Sequence, residues 1–123
     1  MLPHINRLSA KGDFARLFAK GKPVFAKGIT LKLAKNGLEK TRIGFVVSTK
    51  VSKRAVVRNK VKRRLREAVR THLDNLQPGW DMAFLTKPEI KDAEYVALAG
   101  TVDYLLKKAG VLSGSSVAKT TSN

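Results

Sequence analysis

From about Ser52 or Lys53 to about Leu76, the side chains Val57, Val61, Leu65, Ala68, Val69, His72 and Leu73 return every few residues, so one helix would gather them into a single apolar stripe. Pro78 and Gly79 stop it. At ~1.5 Å per residue such a helix exceeds roughly 30 Å, and in a chain of 123 residues it dictates the shape of everything packed against it. A chain of this size holds one core, so a multidomain machine is excluded.

The remaining pattern supplies a sheet for that stripe. Ser9 is placed to cap a first short helix in which Phe14, Leu17 and Phe18 recur at helical spacing before Gly21 and Pro23 end it. Ile29, Leu31 and Leu33 alternate with Thr30 and Lys32 as a half-buried strand, with Val24 to Ala26 as an additional edge strand before it. Asn36 and Gly37 supply a turn. In the next strand Ile43, Phe45 and Val47 face the helix layer, while Gly44, Val46 and Ser48 face away. If the two strands are neighbours, Thr30, Lys32, Gly44, Val46 and Ser48 form a shallow floor unlike a core. Asp81 to Thr86 reads as a further strand closed by Pro88, and Asp92 to Lys108 as a last helix with Gly110 as its C-cap.

These elements predict an α/β (α+β) two-layer sandwich, with one mixed sheet of about four strands and three helices. Residues 1–110 form its single domain. From Val111 to Asn123 the sequence turns to Ser, Gly, Thr and Lys without a period, which predicts a flexible tail over 111–123.

Charge then narrows the function. Lys and Arg number 25 against 9 Asp and Glu, a formal charge of +16 that a polyanionic partner would relieve. Eleven of the cations lie between Lys40 and Arg66, with no acid among them. At ~100° per residue, Asn59, Arg63, Arg66 and Arg70 share an arc of roughly 60° opposite the apolar stripe, flanked by Arg58 and Lys62. Solvated helix faces usually mix signs to form i, i+4 pairs, and here Glu67 is the one acid in the row. Guanidinium forks along one rod match successive phosphates, which favours nucleic-acid binding.

Other chemistries lack their residues. There is no cysteine for a disulfide, a thiolate metal site or a nucleophile, and only two histidines, His4 and His72, neither of which is assigned a role. A protein-only nuclease needs clustered carboxylates, yet the acids are spread one or two per element, with only Asp92 and Glu94 close together. Asp81 is expected to fix a turn, and Trp80 to pack at the sheet edge. No apolar span or signal peptide is visible, so no membrane partner is expected and the cytoplasm is the default compartment. A ribosomal or nucleoid protein of similar build is the competing reading, since charge alone does not tell RNA from DNA.

The spacing Arg58-Asn59-x-x-Lys62-Arg63-x-x-Arg66, preceded by RIGFVVSTK, resembles the signature of the bacterial ribonuclease P protein family. LPHINRL, DFARLF with KGKP, PGWDMAFLTKP and the final helix extend the resemblance over about Leu2 to Lys108. The resemblance implies a noncatalytic subunit, with no protein catalytic residues, that assists a catalytic RNA in removing the 5′ leader of precursor tRNA. Magnesium would serve the holoenzyme and be held mainly by RNA, with none bound tightly to the protein alone. Arg58, Asn59, Lys62, Arg63 and Arg66 would dock on the catalytic RNA, with Lys50, Lys53, Arg54 and Arg70 as extensions. Phe14 and Phe18, also readable as core residues at helical spacing, would border a cleft for the single-stranded leader, floored by Lys32, Val46 and Ser48. Lys32, Thr49 and Ser52 depart from the residues common in the family. The resemblance also implies a left-handed β-α-β crossover through the basic helix, and the free protein is expected to be a monomer.

Overall fold

The computed structural model describes Leu8 and residues 11–112. Helix α1 spans Lys11–Lys20, followed by strands β1 (Lys22–Ala26), β2 (Ile29–Lys35) and β3 (Arg42–Val46). Then come α2 (Ala55–Arg70), β4 (Trp80–Thr86) and α3 (Tyr95–Ala109). The expected cap Ser9 and the tail from Ser113 onward lie outside the described residues.

The four strands form one sheet in the order β1-β2-β4-β3, antiparallel except for the parallel pair β3 and β4. Parallel neighbours need a crossover, and α2 lies within it. Alternation along the strands then sorts the two faces. Ile29, Leu31, Leu33, Ile43, Met82 and Phe84 point into the main core, where they meet Val61, Leu65, Ala68 and Val69 of α2 and Leu98, Val102, Leu105 and Leu106 of α3. Each large side chain enclosed there contributes about 1.5–3 kcal/mol. Phe45 adds a stacked ring on Phe84, with centroids 5.7 Å apart.

Helix α1 lies on the opposite face over a smaller cluster of Leu8, Leu17 and Ala83, supported by Phe14, Ala34 and Leu85. Gly44 in β3 makes this approach possible: a Cβ there would lie 2.7 Å from Phe14 Cε1 and 2.9 Å from the Leu8 carbonyl oxygen. The small residue expected on an open floor is therefore the seat of the Phe14 ring, and Gly44 is buried.

Both long helices are shorter than their patterns suggest. Helix α2 begins after Arg54, whose backbone is extended, and ends at Arg70, giving 16 residues or about 24 Å. Thr71, His72, Asp74 and Asn75 are poor helix formers. The Thr71 hydroxyl donates to the Ala68 carbonyl at 2.8 Å, and Leu73–Asn75 tighten into a 3-10 turn. Helix α3 starts at Tyr95 rather than Asp92, because Pro88–Asp92 forms a 3-10 turn that buries Ile90, and Ala93 is extended. Gly110 closes α3 in the left-handed conformation, φ 74°, as a residue without Cβ can.

Packing also reaches beyond residue 110. Val111 is fully buried, its carbonyl accepts from the Gln77 amide at 2.7 Å, and Leu112 bridges to Leu76. These two expected tail residues belong to the core. Among the described residues, no helix is long and apolar enough to cross a membrane.

Candidate nucleic-acid interface

Helix α2 presents two unlike faces. Val61, Leu65, Ala68 and Val69 are buried, whereas Asn59, Arg63 and Arg70 on the far side are exposed and Arg66 is half-buried. The structure thus brings Asn59, Arg63, Arg66 and Arg70 onto one continuous helical surface. Neither Arg63 nor Arg66 has an ion-pair partner among the described residues.

The flanking cations are less uniform. Arg58 turns back toward the chain preceding the helix, and its Nη1 donates to the carbonyls of Ser52 and Lys53 at 3.0 and 2.9 Å. It therefore organises the approach to α2 as well as adding charge to it. Lys62 is half-buried. Arg70 is paired with Glu67 one turn back, through Nη2 to Oε2 and through Nε to Oε1 at 3.3 Å. The hydrogen bond from Arg70 holds the Glu67 carboxyl below its ordinary range, and the same contact raises Arg70. This neutralises part of the row at its C-terminal end. Lys50, Lys53 and Arg54 lie ahead of the helix rather than on it, all three exposed. Arg64 is turned to internal use, donating from Nη1 to the Ala93 carbonyl at 3.1 Å.

Arg42, one of the eleven clustered cations, is also internal. Its Nε and Nη2 donate to Asp81 Oδ1 and Oδ2 at 2.9 and 2.8 Å, and its Nη1 to Asp13 Oδ2 at 3.1 Å. Asn36 donates to the same Asp81 from Nδ2 at 2.9 Å and accepts from the Leu38 amide, shaping the turn after β2. Asp81 thus does more than fix a turn: with Arg42 it locks β3 to β4 and ties in α1. Hydrogen bonding to Asp81 raises the Arg42 pKa further above its already high value. Asp13 and Asp81 do not fit a metal ion, since both carboxylates are already paired with the Arg42 guanidinium. Among the described residues, no group of three His, Cys, Asp or Glu could hold a metal.

The sheet face beneath α1 forms a second surface. Phe14 packs on Gly44 of β3, Leu17 clusters with Ala83 of β4, and Phe18 meets Lys32 of β2, so α1 runs across the strands. Phe14 is half-buried and Phe18 is 38% exposed, with ring centroids 5.9 Å apart. Lys32 Nζ donates to the Phe18 carbonyl at 2.9 Å and lies 6.0 Å from its ring centroid. A cation at the C-terminal end of a helix satisfies an otherwise orphan carbonyl and suits the dipole. Val46 is half-buried on this face. Ser48 is not on the sheet: β3 ends at Val46, and the exposed Ser48 accepts from the Lys50 amide at 3.2 Å.

Comparison with known proteins finds similarity along nearly the whole chain. The ribonuclease P family model matches residues 2–110. A ribonuclease P protein component from Picosynechococcus is 36% identical over 113 residues, covering 92% of this chain and 97% of its own. One from Pseudanabaena is 40% identical over 116 residues, covering 94% of this chain and all of its own. Among solved structures, the RNase P protein of Staphylococcus aureus superposes with a TM-score of 0.80 at 28% identity, covering 87% of this chain and 97% of that one. That of Thermotoga maritima gives 0.75 at 27% identity, covering 83% and 96%. With its fold, length and sequence all matched, the chain belongs to the ribonuclease P protein family, the protein component of that endoribonuclease.

Proposed function

We propose that this chain is the RNA-binding subunit of a cytoplasmic ribonuclease P holoenzyme, a monomer when free, that grips the catalytic RNA with α2 and the precursor tRNA leader with the face beneath α1. The supporting observation is the segregation of α2, whose buried stripe backs an exposed row of Asn59, Arg63 and Arg66. Lys62 and Arg58 flank the row, while Lys50, Lys53 and Arg54 extend it along the approaching chain. Arg70 joins it by exchanging Glu67 for a phosphate. Arginine forks paired with phosphates position the protein, and Asn59 can both donate to and accept from a sugar hydroxyl or a base edge.

The leader would lie beside α1. Phe14 and Phe18 edge it, and an exposed ring such as Phe18 can stack on an unpaired base of any identity. Lys32, with two further ammonium protons, and Val46 contribute floor. Ser48 stands at the floor's open end rather than within it. Hydrolysis of the phosphodiester belongs to the RNA and its magnesium ions. The protein holds the substrate, and its cations reduce repulsion between two polyanions, which lowers the magnesium concentration the assembly needs.

Reconstitution tests this. With the cognate catalytic RNA at low magnesium, the full chain is expected to restore correct 5′ cleavage of precursor tRNA at least about 10-fold above RNA alone, a gain of ~1.4 kcal/mol. Protein without RNA should cleave nothing. Robust cleavage by protein freed of RNA, or no rescue at low magnesium, would overturn the reading.

A further inference from the structure

Helix α1 divides its side of the sheet into two unlike halves. One half is a cleft of about 360 Å³ whose lining includes Asp13, Arg16, Lys20 and Asn36, and its floor is tied up in the Arg42 and Asp81 pairing. The other half is open. There the register sets Phe25, Thr30, Leu85 and Val46 side by side across β1, β2, β4 and β3. Across three strand spacings this row measures about 14 Å. Thr30, Leu85 and Val46 are half-buried, and Phe25 at the outer end is 61% exposed, more than any other exposed aromatic among the described residues.

Phe25 is out of place for a free protein. Its neighbours Val24 and Ala26 pack against the main core on the other face, so strand alternation projects Phe25 onto the α1 side. Edge strands are ordinarily blunted by charged side chains, not by a bare ring. Exposed Lys27 follows the strand directly, whereas Lys22, its first residue, alternates with Val24 and Ala26 toward the other face. An unshielded ring at the end of an open polar and apolar row, with a cation close by, is the combination that binds single-stranded RNA: the ring stacks on a base and the ammonium group meets the backbone. Phe25 opposes Thr30 while Lys32 opposes Pro23, so Phe25 and Lys32 occupy diagonal positions of the strand pair, about 7–8 Å apart along the sheet.

We propose that Phe25 is a stacking platform for an unpaired leader base, lengthening the leader path from the Phe14 and Phe18 wall to the β1 edge. The proposal rests on the leader reading above and adds a contact at the far end of the face. Phe25 takes no part in chemistry; it sets how much leader the holoenzyme senses, and it discriminates by stacking strength rather than by hydrogen bonding.

The test uses the holoenzyme reconstituted from the full chain and its catalytic RNA, with precursor tRNAs carrying a long unpaired leader, a short leader, or none. Phe25→Ala should weaken binding of the long-leader precursor by about 5- to 10-fold and leave leaderless tRNA and catalytic-RNA affinity unchanged, while Phe25→Trp should restore it. If Phe25→Ala binds the long-leader precursor as wild type does while Phe18→Ala loses affinity, the Phe25 platform is refuted and the leader cleft stands. If Phe25→Ala, Phe18→Ala and leader removal are all without effect, the cleft reading falls as well. An equal loss on leaderless tRNA would also refute the platform, since the ring would then act on something other than the leader.

Discussion

Replacing Arg63 and Arg66 together by alanine is expected to weaken binding of the catalytic RNA by about 100-fold and to lower the dependence of log affinity on log salt by roughly 2, with thermal stability unchanged. Each change removes a guanidinium that has no acidic partner among the described residues, so no ion pair among them is broken. A charge-assisted hydrogen bond contributes about 1.5–3 kcal/mol, and two lost together amount to at least ~3 kcal/mol. At ~1.4 kcal/mol per tenfold, that is the stated loss. The buried stripe of Val61, Leu65, Ala68 and Val69 is untouched, and alanine favours helix slightly more than arginine, so circular dichroism and melting should match wild type. Arg58 and Arg64 are less clean targets because each also donates to backbone carbonyls of this chain. Titrations at several salt concentrations check both quantities, and a wild-type slope in the double variant would refute phosphate pairing by these two residues.

Asp81→Ala is expected to act on stability instead, at about 3 kcal/mol, or roughly a 10 °C fall in melting temperature. Asp81 is 5% exposed and accepts two hydrogen bonds from Arg42 and one from Asn36. Its removal strands the largely enclosed guanidinium, leaving only the contact with Asp13 on α1. Arg42 keeps 20% of its side-chain surface in solvent and can recover some hydration, which holds the cost at the lower end of the range for a broken buried pair. Asp81→Asn, retaining one acceptor, should lose less. Equilibrium unfolding in urea measures both variants, and an Asp81→Ala midpoint equal to wild type would show that the pairing contributes nothing net. Because Asp13, Arg42 and Asp81 join α1 to the sheet, the leader side should loosen in this variant while the outer face of α2 keeps its shape.

Much of this is legible in the order of the amino acids alone. The two faces of α2 follow from a helical period in which apolar residues and cations fall in separate sectors, and Gly110 marks the end of α3 because its conformation suits a residue without Cβ. The end of α2 was not legible, since Leu73 and Leu76 continue the apolar pattern although the backbone has already tightened at Thr71. Nor was Arg42: in one dimension it counts with the surface cations, and its partner Asp81 lies 39 residues away, opposite it only through the parallel register of β3 and β4. The smallness of Gly44 was visible, but not the Phe14 ring that fills the space. Ser48 follows the strand alternation on paper, whereas β3 stops two residues earlier. Phe25 sits in a strand of five residues, too short for periodicity alone to mark its face.

The absence of cysteine opens the most direct test of docking by α2. Single cysteines introduced as Asn59→Cys on the exposed face of α2 and Tyr104→Cys on the exposed side of α3 can each carry a tethered hydroxyl-radical source into the holoenzyme. Docking through α2 predicts strong, localised scission of the catalytic RNA from position 59 and little or none from position 104. Equal scission from both, or scission from position 104 alone, would contradict it.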